Sequence, residues 1–105
     1  MDALVAVIAQ ILDYIQSQGP DAIAQLMGLL EVLKVGVVSV TALFGLAANV
    51  PAVIEIMSQL IALISSGAGL TEIVAAIGSL AGSLGLSIEA LVHILQIIFT
   101  VLVAF

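Results

Sequence analysis

The sequence predicts an all-α fold of about five hydrophobic helices, two of them long, with no β-sheet. Polar residues recur at the helical period along most of the chain, and no segment shows the apolar/polar alternation of a half-buried strand. Glycine and proline interrupt this pattern at a few points and divide the chain into segments. We therefore interpret residues 1–105 as one hydrophobic all-α domain.

The first two predicted helices meet at Gly19-Pro20. The first covers residues 2–18, and its polar residues share one face: Asp2, Gln10, Asp13 and Gln16. Proline fits the first position of a helix, so Pro20 begins the second, which is predicted to be long and to reach residue 48. Glu31 and Lys34 are three apart on it and are placed to pair.

Three further helices are predicted at residues 51–66, 71–84 and 87–105. The sequence SSGAG between the first two of these is a strong turn signal. Thr71 is predicted to cap the fourth helix and Ser87 the fifth. The fifth is long and runs to the last residue without glycine, proline or any formal charge after Glu89.

The composition predicts contact with lipid or with other protein. Hydrophobic residues make up 64% of the chain and charged residues 8%, against roughly 45–50% and about 25% in average soluble proteins. So few charges cannot cover the roughly 5,500 Å² that a compact chain of this mass exposes. We therefore expect the apolar excess to meet lipid, copies of the chain or another hydrophobic partner, rather than water around a monomer.

The charge balance argues against nucleic acid as a direct ligand. The formal net charge is −6, and Lys34 is the only lysine or arginine. Phosphate backbones and anionic membrane surfaces select clusters of lysine and arginine. The chain has no cysteine, so disulfides and thiolate metal sites do not arise.

The fifth helix carries a narrow polar stripe of four residues: Glu89, His93, Gln96 and Thr100. Their spacing keeps them within about 60° of one another on a helix. Narrow stripes also occur on the third and fourth helices. Two interpretations compete: the stripes form hydrogen bonds between helices inside an inverted core, or they face an aqueous lumen or exterior.

Five glycines inside the predicted helices are candidates for close helix packing: Gly28, Gly36, Gly45, Gly78 and Gly82. Small residues four apart let two backbones approach, and the motif is typical of lipid-embedded helices. At the end of the chain, Phe99 and Phe105 stand on an apolar surface and are predicted to be assembly contacts. Only the predicted helices 20–48 and 87–105 approach the roughly 20 residues of a membrane span.

No catalytic, cofactor-binding or metal-binding residue is predicted. The chain has one histidine, no nucleophile motif and no phosphate-binding loop. Glu89 and His93 are i and i+4, a spacing compatible with two metal ligands, but no further ligand lies nearby in the sequence. A structural hydrogen bond or a pH-sensitive contact is the preferred interpretation of His93. We expect a protein that is not an enzyme.

The chain resembles the pilins of type IV secretion and conjugation systems. The resemblance lies in the small size, in the apolar segments VGVVSVTALFGLAANV and ILQIIFTVLVAF, and in the lone basic residue Lys34 between apolar stretches. It covers most of the chain and rests on layout, not on a specific motif. The chain differs in its amphipathic first helix, its acidic balance and its lack of a clear basic loop.

This resemblance implies an all-α subunit that is stored in a membrane and then assembles into an extracellular helical filament, often with bound phospholipid. We accordingly expect a non-enzymatic structural subunit of a pilus-like filament, with identical subunits and membrane lipid as partners. The alternative is a small integral membrane oligomer, holin-like or channel-forming. A membrane-active peptide of the bacteriocin kind is disfavoured, since such peptides are usually cationic.

Overall fold

The computed structural model describes residues 2–36 and 50–104, which form five α-helices and no strand. The helices are α1 (Asp2–Gln18), α2 (Pro20–Val35), α3 (Val50–Ser65), α4 (Leu70–Ser83) and α5 (Ile88–Ala104). The predicted all-α class is confirmed. Gly45, Phe105 and most of the second half of the helix predicted over residues 20–48 lie outside the described residues.

The prediction of one continuous helix from residue 20 to 48 is wrong, because α2 ends at Val35. Gly36 adopts a left-handed conformation with φ of 86°, and its backbone N–H donates a hydrogen bond to the Val32 carbonyl at 3.1 Å. This is a common helix ending, and glycine adopts it without the steric cost that a Cβ brings. Gly36 therefore ends α2 instead of lying inside a longer helix.

Three other helices end on a left-handed glycine: α1 at Gly19, α3 at Gly67 and α4 at Gly85. After α3, Gly67 N–H donates to the Ile64 carbonyl and Ala68 N–H to the Leu63 carbonyl, a Schellman motif. The same pair of bonds follows α4, where Leu86 N–H donates to the Ala81 carbonyl at 2.9 Å. These endings divide a nearly uniform apolar sequence into helices of defined length.

The helix starts are less uniform. Ser87 caps α5 as predicted, since its Oγ accepts a hydrogen bond from the Ala90 backbone N–H at 3.1 Å. Pro20 occupies the first turn of α2, also as predicted. Thr71 does not cap α4, because that helix begins at Leu70, with Gly69 at the cap position and no side-chain hydrogen bond there.

Helices α1 to α4 form a ring, and α5 packs against three of them. α1 packs on α2, α2 on α3, α3 on α4, and α4 on α1, so α2 and α4 occupy opposite positions. α5 packs on α1, α2 and α4. Large aliphatic side chains from all five helices meet in the centre, among them Leu4, Ile11, Leu26, Leu33, Ile56, Leu60, Ile73, Ile77, Leu95 and Ile98.

The core of the described residues is apolar, and the charged side chains lie outside it. Within residues 2–36 and 50–104, no polar or charged residue is buried. The charged side chains of every helix are exposed, and so are small residues such as Ala24, Ala62 and Ala75. The large aliphatic residues that the composition offers in excess therefore fill the interior of one chain, and small residues form much of its surface.

The expected membrane-span lengths do not occur in the described helices. α2 has 16 residues and α5 has 17. No described helix is by itself long and apolar enough to cross a membrane. Taken together, α4 and α5 meet the length and composition requirements of a membrane span, but the two helices are bent by 119° relative to each other.

Candidate functional site

The polar stripe of α5 lies on the outside of the bundle. Glu89, His93, Gln96 and Thr100 are all exposed, while Ile94 and Leu95 on the opposite side are buried. The Thr100 hydroxyl donates to the Gln96 carbonyl at 2.8 Å, which satisfies it within its own helix. Within one chain the stripe therefore makes no inverted core, and of the two interpretations the one with an aqueous surface fits this arrangement.

His93, Gln96 and Thr100 line a shallow depression on this surface, together with Ile97 and Val101. All of these described lining residues belong to α5. In the part of the chain that the structure describes, no three His, Asp or Glu side chains are grouped so as to hold a metal ion. The depression offers hydrogen-bonding groups to a partner.

Phe99, a predicted assembly contact, is turned into its own chain. Its ring lies edge-to-face with that of Tyr14 on α1, with centroids 6.1 Å apart and planes at 88°. Both side chains are half-buried against the core. Most of the apolar surface that Phe99 was expected to offer to a neighbouring copy is therefore used inside the subunit.

The predicted packing glycines fall into three groups. Among the described glycines of this set, Gly78 faces another helix: a Cβ there would lie 3.9 Å from Cδ2 of Leu4 on α1, an ordinary contact. Gly28 and Gly82 are exposed, with open space where a Cβ would stand. Gly36 ends a helix, as described above. Helix packing among the described residues therefore does not require glycine at position 28 or 82. The predicted packing role of these two glycines could apply only to contacts between copies.

Sequence reasoning missed an apolar depression between α1 and α4. It has a volume of about 280 Å³ and is lined by Val5 from α1 and by Leu70, Thr71, Val74 and Ala75 from α4. The exposed acids Asp2 and Glu72 lie one helical turn before Val5 and Ala75. The depression gives no signal in the sequence because it exists only where two helices about 70 residues apart in the sequence meet.

Among residues 2–36 and 50–104, exposed large apolar side chains lie on three helices: Val5 on α1, Met27 and Val35 on α2, and Ile88 and Val103 on α5. Met27 is 53% exposed and lies between the exposed small residues Ala24 and Gly28. Because these neighbours are short, its side chain stands above the surface of α2.

The lone lysine lies on the same face of α2 as Met27. Lys34 Nζ is 3.9 Å from Glu31 Oε1, which confirms the predicted pair, and the two side chains are 48% and 70% exposed. Exposed pairs of this kind contribute about 0–1 kcal/mol to stability. The pair therefore holds Lys34 weakly.

Comparison with protein-family models, with characterised proteins and with solved structures finds no match for this chain.

Proposed function

We propose that this chain is a non-enzymatic structural subunit that self-assembles with copies of itself into a pilus-like helical filament. The observation that carries the proposal is the presence of exposed Val5, Met27, Val35, Ile88 and Val103 on a surface that has few charges. Exposed apolar side chains on a surface with so few charges favour contact with other copies over contact with water.

The small residues on the outside support the same proposal. Ala24 and Gly28 on α2, and Ala75 and Gly82 on α4, are exposed and have little or no side chain. Small residues let a helix of another subunit approach closely. Each subunit brings its own packed core, so assembly joins preformed units and does not have to build the fold.

The finer features of the proposal come from the resemblance to conjugative pilins. On this basis, the subunit is held in a membrane before assembly, it forms an extracellular filament afterwards, and phospholipid fills apolar gaps between copies. The polar stripe of Glu89, His93, Gln96 and Thr100 then faces either the lumen or the outside of the filament. The net charge of −6 makes it unsuited to direct contact with nucleic acid.

Negative-stain electron microscopy and sedimentation of the purified chain in detergent-free buffer test the proposal. We expect regular filaments that pellet, and lipid extraction with mass spectrometry of washed filaments is expected to find phospholipid at a constant ratio to protein. If the chain stays monomeric at all protein and salt concentrations, the filament proposal is overturned. Filaments that contain no lipid would support the filament proposal and contradict the proposed lipid binding.

The second candidate is a small integral membrane oligomer, holin-like or channel-forming, and α4 with α5 favours it. Together these helices are long and apolar enough to enter a bilayer as a bent pair. Insertion would require the pair to leave the core, since Ile77 and Ile98 are fully buried there. Flotation with liposomes followed by alkaline extraction separates the candidates: retention in the lipid fraction supports insertion, and release supports a peripheral or filamentous protein.

A further inference from the structure

We propose that a depression between α1 and α5 binds an organic ammonium ion, with a preference for a quaternary one such as the trimethylammonium group of choline. The described residues that line it are Gln10, Asp13, Tyr14 and Ser17 from α1 and Phe99 from α5. Two aromatic rings beside one carboxylate are suited to such a cation. The site lies within one subunit, so it goes beyond the proposed function and does not depend on filament formation.

The aromatic part of the site is the ring pair of Tyr14 and Phe99. Both side chains are half-buried, their ring centroids are 6.1 Å apart, and their planes stand at 88°. Two rings at a right angle form two walls of a corner, and both rings border the depression. The face of an aromatic ring is negative and attracts a cation within about 6 Å of the ring centroid. The depression therefore favours a cation that has an apolar surface.

The charged part of the site is Asp13. It is exposed, and it lies on the face of α1 that carries Gln10 and Tyr14 and borders the depression. Neither α1 nor α5 contains a lysine or arginine, and His93 lines a different depression on α5. Among the described residues, no basic side chain forms an ion pair with Asp13. An anion would meet this carboxylate and a net charge of −6, so the ligand is a cation.

The lining favours an organic ammonium ion over a metal ion. Calcium takes about six to eight oxygen ligands and magnesium demands an octahedral set, whereas this lining supplies a single carboxylate. A quaternary ammonium spreads its charge over methyl groups, which pack on ring faces without losing strong hydrogen bonds to water. The same group occurs in free choline and in the headgroup of phosphatidylcholine, and the site has the same chemistry for both.

Tyrosine fluorescence measures binding directly, because Tyr14 is the only tyrosine and the chain has no tryptophan. Choline chloride is titrated into the full chain below the assembly threshold, with sodium chloride at equal ionic strength as the salt control. The second control is the neutral carbon analogue of choline, in which a tert-butyl group replaces the trimethylammonium group. We expect a saturable change with choline, and a dissociation constant at least about fivefold lower than for the analogue. No saturable change, or equal affinity for the analogue, overturns the proposal.

Variants that keep Tyr14 as the reporter test the lining. Asp13→Asn removes the carboxylate and Phe99→Leu removes one ring, and each is expected to weaken choline binding by at least about threefold. Glu55→Gln is the matched control, since Glu55 is an exposed acid on α3, which packs on α2 and α4. Asp13→Asn and Glu55→Gln each lower the net negative charge by one, so they differ in position and not in overall charge. Circular dichroism checks that every variant is folded, and equal binding by these two variants overturns the site.

Flotation with phosphatidylcholine vesicles separates the two sources of the ligand. If the source is the lipid headgroup, Asp13→Asn is expected to float at least about threefold less than Glu55→Gln. If these variants float alike while they differ in the choline titration, the source is a free ion, and the site stands. Filaments formed by a chain that does not bind choline overturn only the site, and choline binding by a chain that forms no filaments overturns only the proposed function.

Discussion

The rings of Tyr14 and Phe99 meet edge-to-face at a centroid distance of 6.1 Å and join the C-terminal part of α1 to the last described helix. These are residues of the first and last described helices, so the pair closes the bundle between its two ends. Edge-to-face aromatic pairs contribute about 0.5–1.5 kcal/mol beyond the area they bury. The contact therefore orients α5 on α1 and occupies an aromatic side chain that the sequence assigns to a neighbouring subunit.

We predict that Tyr14→Leu and Phe99→Leu are coupled in stability. Each change keeps an apolar side chain but removes one ring of the pair, and a double-mutant cycle is expected to give a coupling free energy of about 0.5–1.5 kcal/mol. Urea unfolding followed by circular dichroism measures it. If the losses in the free energy of unfolding are additive, the two rings do not stabilise each other.

Phe99→Asp should lower stability as well as assembly. The change removes the ring contact and places a charge against the α1–α5 contact, for which a loss of about 1–3 kcal/mol is expected. The sequence alone suggests that this variant blocks assembly of a subunit that is otherwise intact. Urea unfolding at a concentration below the assembly threshold distinguishes the two outcomes.

The helical period, the apolar faces and the breaks at Gly19 and Gly67 could be read from the sequence because they are local. Gly36 was misread because its surroundings, KVGVV, are as apolar as those of a buried helix glycine. Whether such a glycine continues or ends a helix depends on the backbone conformation, which the residue type leaves open. The same uncertainty applies to Gly28, which continues α2 with open space beside it.

We predict opposite effects of alanine at these glycines. Gly28→Ala and Gly82→Ala are expected to raise the free energy of unfolding by up to about 1 kcal/mol each, because alanine favours a helix and no side chain or neighbouring helix of the described residues lies within 4 Å of the new Cβ. Gly36→Ala forces a Cβ into a left-handed conformation and should destabilise by about 1 kcal/mol. Urea midpoints of the three variants check the contrast, and a stabilising Gly36→Ala would contradict the observed end of α2.

Capping shows a similar limit of local reasoning, since Ser87 caps its helix and Thr71 does not. We predict that Ser87→Ala costs about 1 kcal/mol, because it removes the acceptor of the Ala90 N–H bond. Thr71→Ala is the control, with an expected change within about 0.5 kcal/mol. Thermal unfolding measures both, and equal losses would mean that Thr71 contributes to the start of α4 after all.

Gln25 on α2 has a buried amide oxygen without a hydrogen-bond partner. Leaving a buried acceptor unsatisfied costs about 1–3 kcal/mol. We predict that Gln25→Leu, which keeps a similar size, raises the free energy of unfolding by about 1 kcal/mol. Gln16→Leu, at an exposed position of α1, serves as the control and should change it by no more than about 0.5 kcal/mol. A destabilised Gln25→Leu would indicate that the oxygen is bonded in solution.

The candidate surface was less predictable than the fold. The polar stripe of α5 follows from the spacing of its residues alone. Whether the stripe faces inward or outward does not, because the same spacing fits an inverted core and an ordinary one. The depression beside Val5 requires α1 to meet α4, across about 70 residues of sequence, and this is information that only packing supplies. The exposure of Met27 likewise depends on which face of α2 is turned inward.

The end of α5 decides whether the last residues serve the fold or the assembly, and Leu102 and Val103 separate the two roles. Leu102 is fully buried in the core, whereas its neighbour Val103 is 51% exposed. Because the two residues are adjacent and similar in chemistry, they form a matched pair. Deletion of residues 101–105 would remove both at once and could not distinguish them.

We predict that Leu102→Ala lowers the free energy of unfolding by about 2–5 kcal/mol, since it removes buried methyl groups and leaves a cavity. Val103→Ala should change it by less than about 0.5 kcal/mol, because the side chain already meets solvent. Urea unfolding at a concentration below the assembly threshold measures both values without contributions from contacts between copies. Similar small losses would mean that the end of α5 is not part of the core. The tail would then be available to neighbouring subunits, as its sequence first suggests.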